Sequence, residues 1–190
     1  EYGAEFRSDL ETYVAPEVLA ACTVPGRHEL PRLTNTMHIG FVDPSGGRAD
    51  SFTMAVAHVE WRHEVPVAVL DCVRERKPPF SPEAVVGEFA EVLKSYGALM
   101  VSSDRYSGEW SVEAFGRAGV HVEQSAAPKS ELYAALLASL NSRRAELLDH
   151  ARLRAQLLGL ERRTVRNGRD SIDHPPGAHD DLANACAGAI

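Results

Sequence analysis

The order of extended and helical patterns constrains this chain more than any single residue does. Three apolar or β-branched runs, His38–Asp43, Ser51–Glu60 and Val65–Val73, follow one another through short connections, and the first ends in the turn signal Asp43-Pro44-Ser45-Gly46-Gly47. Links this short join antiparallel neighbours, so the three runs predict a meander. The pattern then changes. Ser81-Pro82-Glu83 opens a helix whose Val85, Val86, Phe89, Val92 and Leu93 share one face, and Gly97 stops it. Ala98–Ser103 reads as a buried-type strand closed by Asp104, Ser111–Ala118 as a short helix, and Val120–Gln124 as a further strand. Lys129–Leu140 and His150–Leu160 read as helices, Asn167–Gly177 as a polar loop, and His179–Ile190 as a final helix of small residues. Three hairpin-linked strands followed by crossover-linked ones predict an α/β fold: a mixed five-stranded sheet, antiparallel and then parallel, with helices on both faces.

Length and composition narrow the setting. A chain of 190 residues, 44% hydrophobic and 25% charged, suits one domain with a full core. Residues 38–190 form the expected body, and residues 1–37, broken by Pro16, Pro25, Gly26 and Pro31, read as a lead-in or linker. The start at Glu1 rather than Met suggests a processed chain or a fragment. No run approaches the roughly 18 apolar residues a membrane helix needs, and no basic-then-apolar signal region opens the chain. Cys22, Cys72 and Cys186 are odd in number and far apart, which points to a reducing compartment and away from a zinc knuckle. The net charge of −7 argues against a stand-alone nucleic-acid binder. Between Arg143 and Arg169, however, eight arginines face three acids, a local basic segment that includes Arg143, Arg144, Arg162, Arg163 and Arg166 and could follow a phosphate backbone.

The carboxylates fall at particular places in the expected topology. Asp43 closes the first strand and Asp104 the fourth, which would pair parallel beside it. Asp180 and Asp181 open the last helix. Carboxylates gathered at one sheet edge repel one another unless a divalent cation lies among them, and hard oxygen ligands select Mg²⁺ or Mn²⁺ over Zn²⁺. Each residue also has a plain structural explanation: Asp43 in a turn, Asp104 capping a loop, Asp180 capping the helix and Asp181 complementing its dipole.

Taken together, the segments His38–Phe52 (HIGFVDPSGGRADSF), Leu99–Glu109 (LMVSSDRYSGE), Lys129–Tyr133 (KSELY), Leu157–Arg162 (LLGLER) and His179–Ala185 (HDDLANA) resemble the C-terminal nuclease domain of the large terminase subunit of tailed bacteriophages, an RNase H-like, RuvC-type fold. The resemblance implies that Asp43, Asp104, Asp180 and Asp181 are the catalytic and metal-binding acids, with Asp180 preferred over Asp181 because RuvC-type helices carry the ligand before a similar Asp-x-Leu-Ala pattern. It implies His179 as an outer ligand, Asp50 as a residue that holds the first hairpin loop, and Lys129 near the metal site or a DNA phosphate. It further implies two Mg²⁺ or Mn²⁺ ions, double-stranded DNA as substrate, and cleavage of concatemeric genomes; sequence preference should be low, because nothing in the sequence resembles a base-reading helix with flanking basic arms. The implied partners are the ATPase domain of the same large terminase, the portal and the small terminase subunit, in the host cytoplasm. Gly46-Gly47 is followed by Arg48 and no phosphate-loop lysine, so the packaging ATPase itself is not in this chain. A RuvC-like resolvase or transposase-type nuclease keeps the fold and changes the substrate. An actin- or sugar-kinase-like nucleotide-binding domain starts with a similar Asp-and-Gly hairpin. A non-catalytic docking module would carry the acids as vestiges.

Overall fold

The three apolar runs form the meander their spacing predicts. In the computed structural model, which describes residues 10–105, 108–164 and 170–190, β3 (His38–Asp43), β4 (Phe52–Arg62) and β5 (Val65–Arg76) pair antiparallel in sequence order. β6 (Met100–Ser103) returns parallel beside β3, and β7 (His121–Gln124) lies parallel outside β6. The resulting order β5-β4-β3-β6-β7 is the mixed five-stranded arrangement expected.

Two strands extend it. β8 (Ala145–Leu148) runs parallel to β5, and β2 (Thr23–Val24) parallel to β8, so the sheet has seven strands rather than five. Ala-Glu-Leu-Leu in β8 favours helix by propensity and is too short for its period to speak, so only its place against the buried edge of β5 makes it a strand. A separate small sheet orders β1 (Leu10–Thr12), β9 (Glu161–Thr164) and β10 (Asp170–Asp173) antiparallel, and it occupies part of the segment expected to be a polar loop.

Two cores flank the main sheet. On one face α2 (Pro82–Tyr96) and α3 (Glu109–Arg117) enclose Val42, Phe52, Met54, Phe89, Leu93 and Phe115. Gly97 ends α2 in the left-handed conformation (φ 74°) that a C-terminal glycine permits. On the other face α4 (Lys129–Asn141), α5 (Ala151–Gly159) and α6 (Asp181–Ala189) enclose Phe41, Leu70, Tyr133, Leu140 and Leu182. Alternate residues of β3 and β4 serve alternate cores, as the two-residue strand period requires. α1 (Pro16–Cys22) belongs to this second core through Leu19 and Cys22, joined by Tyr13 and Val14. The stretch from Tyr13 to Cys22 within the segment read as a lead-in is therefore packed into the body. α6 is built of small residues because it lies directly on β3: a Cβ placed on Gly188 would sit 2.1 Å from the Phe41 ring. Among the described residues no helix is long and apolar enough to cross a membrane.

Candidate functional site

Asp43 ends β3 and Asp104 directly follows β6. The parallel register pairs Val42 with Ser103, and the Asp104 N–H donates to Val42 O (3.3 Å), so the two aspartates leave the same sheet edge side by side. α6 starts at that edge, held by the Thr53 hydroxyl, which donates to Asp181 O (2.8 Å). One helical turn on, the Asn184 amide donates to Asp43 Oδ2 (2.8 Å) and to Asp104 Oδ2 (3.1 Å), clamping the carboxylates of two strands with one NH₂ group. Asn184 lies within the HDDLANA segment but drew no role from sequence. Its signal was helical spacing, three residues after Asp181 and hence on the same face.

The paired aspartates of α6 have different surroundings. Asp180 is buried at the N-cap position, yet its side chain does not cap the helix. It receives the Tyr133 hydroxyl (2.7 Å) and the Lys129 ammonium (2.7 Å), both from α4. Burial opposes charge on Lys129, but Asp180 and Asp173 outweigh that and hold its pKa above the ordinary value. Asp181 has no such partners. Its Oδ2 is buried with no hydrogen-bond donor, and burial followed by repulsion from Asp180 and Asp50 raises its pKa. Asn184 Oδ1 is likewise buried without a partner.

Burial pushes Asp43 up to about 7, repulsion from Asp104 and Asp181 adds to the rise, and the Asn184 hydrogen bond and Lys129 act against it. An open cleft of about 250 Å³ runs between Asp43, Asp104, Asp181, Asn184 and Lys129. His179 and Asp50 stand exposed at its rim, with His179 Nδ1 3.5 Å from Asp50 Oδ1. Asp50 holds the hairpin loop through its backbone, where its carbonyl accepts the Ser45 hydroxyl (2.6 Å). Excess carboxylate, two orphaned oxygen acceptors and a neutral-leaning Asp43 make a donor set that suits a hard divalent cation.

The basic residues do not converge in the same way. Arg143 and Arg144 precede β8 at the end of the sheet remote from Asp43, whereas Arg162 and Arg163 lie on β9. Arg163 pairs with Glu161 (3.1 Å) and Arg162 approaches Glu11 (4.0 Å). Arg166 lies outside the described residues. A cation not singled out from sequence, Arg152 on α5, lies with His174 and His179 along a second cavity of about 230 Å³.

A mixed sheet in this order, with acids at the ends of its first and fourth strands and on its last helix, defines an RNase H-like fold. Solved structures agree. The chain is similar to the large terminase nuclease from thermophilic phage G20c, with a TM-score of 0.69 and 14% identity over 90% of this chain and 96% of that one. It is similar to the nuclease domain of the large terminase subunit gp2 of bacterial virus Sf6, solved with manganese and beta-thujaplicinol, with a TM-score of 0.68, 14% identity and coverage of 93% and 97%. It also matches the HK97 bacteriophage large terminase, with a TM-score of 0.71 and 13% identity, covering 95% of this chain but 44% of that protein. At such identities the likeness shows the fold. No family model matches the sequence, and no curated protein does.

Proposed function

We propose that this chain is the nuclease domain of a phage large terminase, a divalent-metal-dependent endodeoxyribonuclease that cleaves concatemeric viral DNA during genome packaging. The observation that carries the reading is the convergence of Asp43, Asp104 and Asp181 from three separate elements onto one open cleft, with Asn184 clamping the first two. Nucleases with this fold have been solved with magnesium, cobalt and zinc (G20c) and with manganese and calcium (Sf6).

Asp43, Asp104 and Asp181 would hold the metal here, two Mg²⁺ or Mn²⁺ ions in the full site. Asp181 is favoured over Asp180 because Lys129 and Tyr133 already satisfy Asp180. The bound ions would supply activation of the attacking water and neutralisation of the leaving oxygen. The chain's own residues set the stage. Asn184 fixes the Asp43–Asp104 separation, and Asp180 locks α6 to α4 so that Asp181 stays in register with the sheet edge. Lys129 and Arg152 line the approach and are the cations placed to meet a DNA backbone, although Lys129 is shared with Asp173 and Asp180 and Arg152 with Glu75. Little sequence preference is expected of such a site, because the backbone rather than the base edges would be contacted. The HK97 match, which spans less than half of that terminase, supports a motor ATPase domain as partner, with the portal and small subunit completing the assembly.

Nicking of supercoiled plasmid in Mn²⁺, Mg²⁺ or EDTA, with Asp43→Ala in parallel, tests the reading. Metal-dependent relaxation and linearisation that the variant lacks supports it. Equal cleavage by wild type and variant removes it.

A further inference from the structure

A second cluster of ligand-type side chains lies at the opposite end of β3, about 16 Å from Asp43 at the rise of an extended strand. His38 on β3 and His58 on β4 are direct cross-strand partners, and both face the α2 side of the sheet. β5 joins them through an irregularity. Its register passes from Cys72, opposite Val56, to Leu70, opposite Ala57, leaving Asp71 as the extra residue of a β-bulge. The side chains of His38, His58 and Asp71 are fully buried, with exposures of 0%, 1% and 0%. Tyr96 of α2 and the strap of residues 29–37 cover them, and the Tyr96 hydroxyl donates to Leu30 O (2.5 Å).

The orientation of the rings is informative. The outer nitrogen of each histidine has an acceptor: His38 Nδ1 lies 3.2 Å from Thr36 O, and His58 Nε2 lies 3.3 Å from Glu60 Oε1. Thr36 O can only accept, so His38 Nδ1 carries the hydrogen and Nε2 presents a lone pair. That nitrogen meets only the Leu33 N–H, at a long 3.5 Å, and faces Asp71 Oδ2 at 3.6 Å. His38 Nε2 and Asp71 Oδ2 thus face each other inside the protein across a gap that one proton or one cation can fill. His58 Nδ1 reaches the same carboxylate, at 2.8 and 2.9 Å from its two oxygens. Burial acts on the cluster in the direction of neutrality, lowering His38 and raising Asp71.

We infer that His38, His58 and Asp71 form a second metal site, which takes a borderline transition-metal ion of the zinc class and clips the three strands of the meander together. The three ligand atoms lie within 4.8 Å of one another, against about 3.3 Å between ligands around tetrahedral zinc, so the side chains would close inward on the ion and supply three of its ligands. The outer contacts to Thr36 O and Glu60 are the orienting hydrogen bonds that metal-bound imidazoles carry. Two imidazoles discriminate against magnesium and calcium, so this site and the Asp43–Asp104–Asp181 carboxylates would select different ions. The inference does not depend on the nuclease reading.

The test uses the full chain carrying Asp43→Asn and Asp181→Asn, so that the cleft does not compete for metal. After loading with zinc sulfate and dialysis, about one zinc per chain should remain, and X-ray absorption should show two imidazole ligands. Cobalt(II) in place of zinc should give the intense visible bands of low-coordinate nitrogen ligation. His58→Gln should abolish retention. Glu60→Ala, at a half-exposed position that leaves the core intact, should weaken zinc binding about tenfold. Loss of all zinc on dialysis, zinc held without imidazole, or unchanged affinity in Glu60→Ala would each overturn the inference. Because the X-ray absorption reading and Glu60→Ala leave the cluster whole, the result does not depend on His58→Gln folding.

Discussion

Replacing Asp43 by Asn should stabilise the metal-free protein, the reverse of what removing a polar partner from a folded domain usually does. In the fold, burial and the neighbouring carboxylates carry the Asp43 carboxyl from 3.8 to about 7. The folded state therefore binds more protons than the unfolded chain between those values. Stability contributed by this group is full below about pH 4, declines as pH rises toward 7 and stays low above it. At about 1.4 kcal/mol per decade of proton affinity, the charged carboxylate costs the fold up to about 4 kcal/mol at pH 8. The cleft is open to water, so about 2–3 kcal/mol is the expected net effect. The substituted side-chain amide keeps an oxygen for the Asn184 NH₂ group and loses the charge. Thermal unfolding in EDTA should place Asp43→Asn roughly 5–10 °C above wild type at pH 8, at about 2–4 °C per kcal/mol for a chain of this size, and the gap should shrink toward pH 5. Mn²⁺ should then stabilise wild type more than the variant. A variant less stable than wild type at pH 8 in EDTA, or a gap that does not change with pH, would refute the electrostatic account of the cleft.

Three further outcomes follow from the same contacts. Gly188→Ala drives a methyl group into the Phe41 ring and should cost about 1–3 kcal/mol or more, read as a lower unfolding temperature together with reduced nuclease activity as α6 shifts. Tyr133→Phe removes one of the two donors to buried Asp180 and should cost about 1–2 kcal/mol by urea denaturation, while Lys129 still holds the carboxylate. Neutralising Arg152 should weaken DNA binding and flatten its dependence on salt, whereas neutralising Arg143 and Arg144, at the remote end of the sheet, should change the salt slope less; filter binding across a salt series distinguishes the two.

What the sequence made legible and what it hid have physical reasons. The meander and the β6–β3 pairing could be read because strands of six or more residues rich in apolar side chains and bounded by turn signals announce themselves, and because a crossover after a hairpin leaves few places for the next strand. β8 was hidden because four residues of helical composition become a strand only through the edge they meet, and β9 because Glu161-Arg162-Arg163-Thr164 carries no apolar period at all. The convergence of Asp43 with Asp104 followed from strand ends alone. The unequal surroundings of Asp180 and Asp181 did not, because they depend on where Lys129 and Tyr133 of α4 come to rest. The sequence pattern favours Asp180, and the packing of α4 is the ground on which we propose Asp181 instead. The His38–His58–Asp71 cluster escaped notice for a related reason: it is assembled by cross-strand pairing and a bulge, neither of which leaves a spacing signature.

That bulge bears on how the chain tolerates changes of length. Removing a residue from a central strand ordinarily turns every following side chain to the wrong face. Here Leu70 belongs to the α6 side and Cys72 to the α2 side, so excising Asp71 would leave the two in ordinary alternation, with each core keeping its own residues. Losing position 71 would thus cost His38 and His58 their shared carboxylate but would not exchange inside for outside, and relatives of different strand length can be aligned there without misassigning either core.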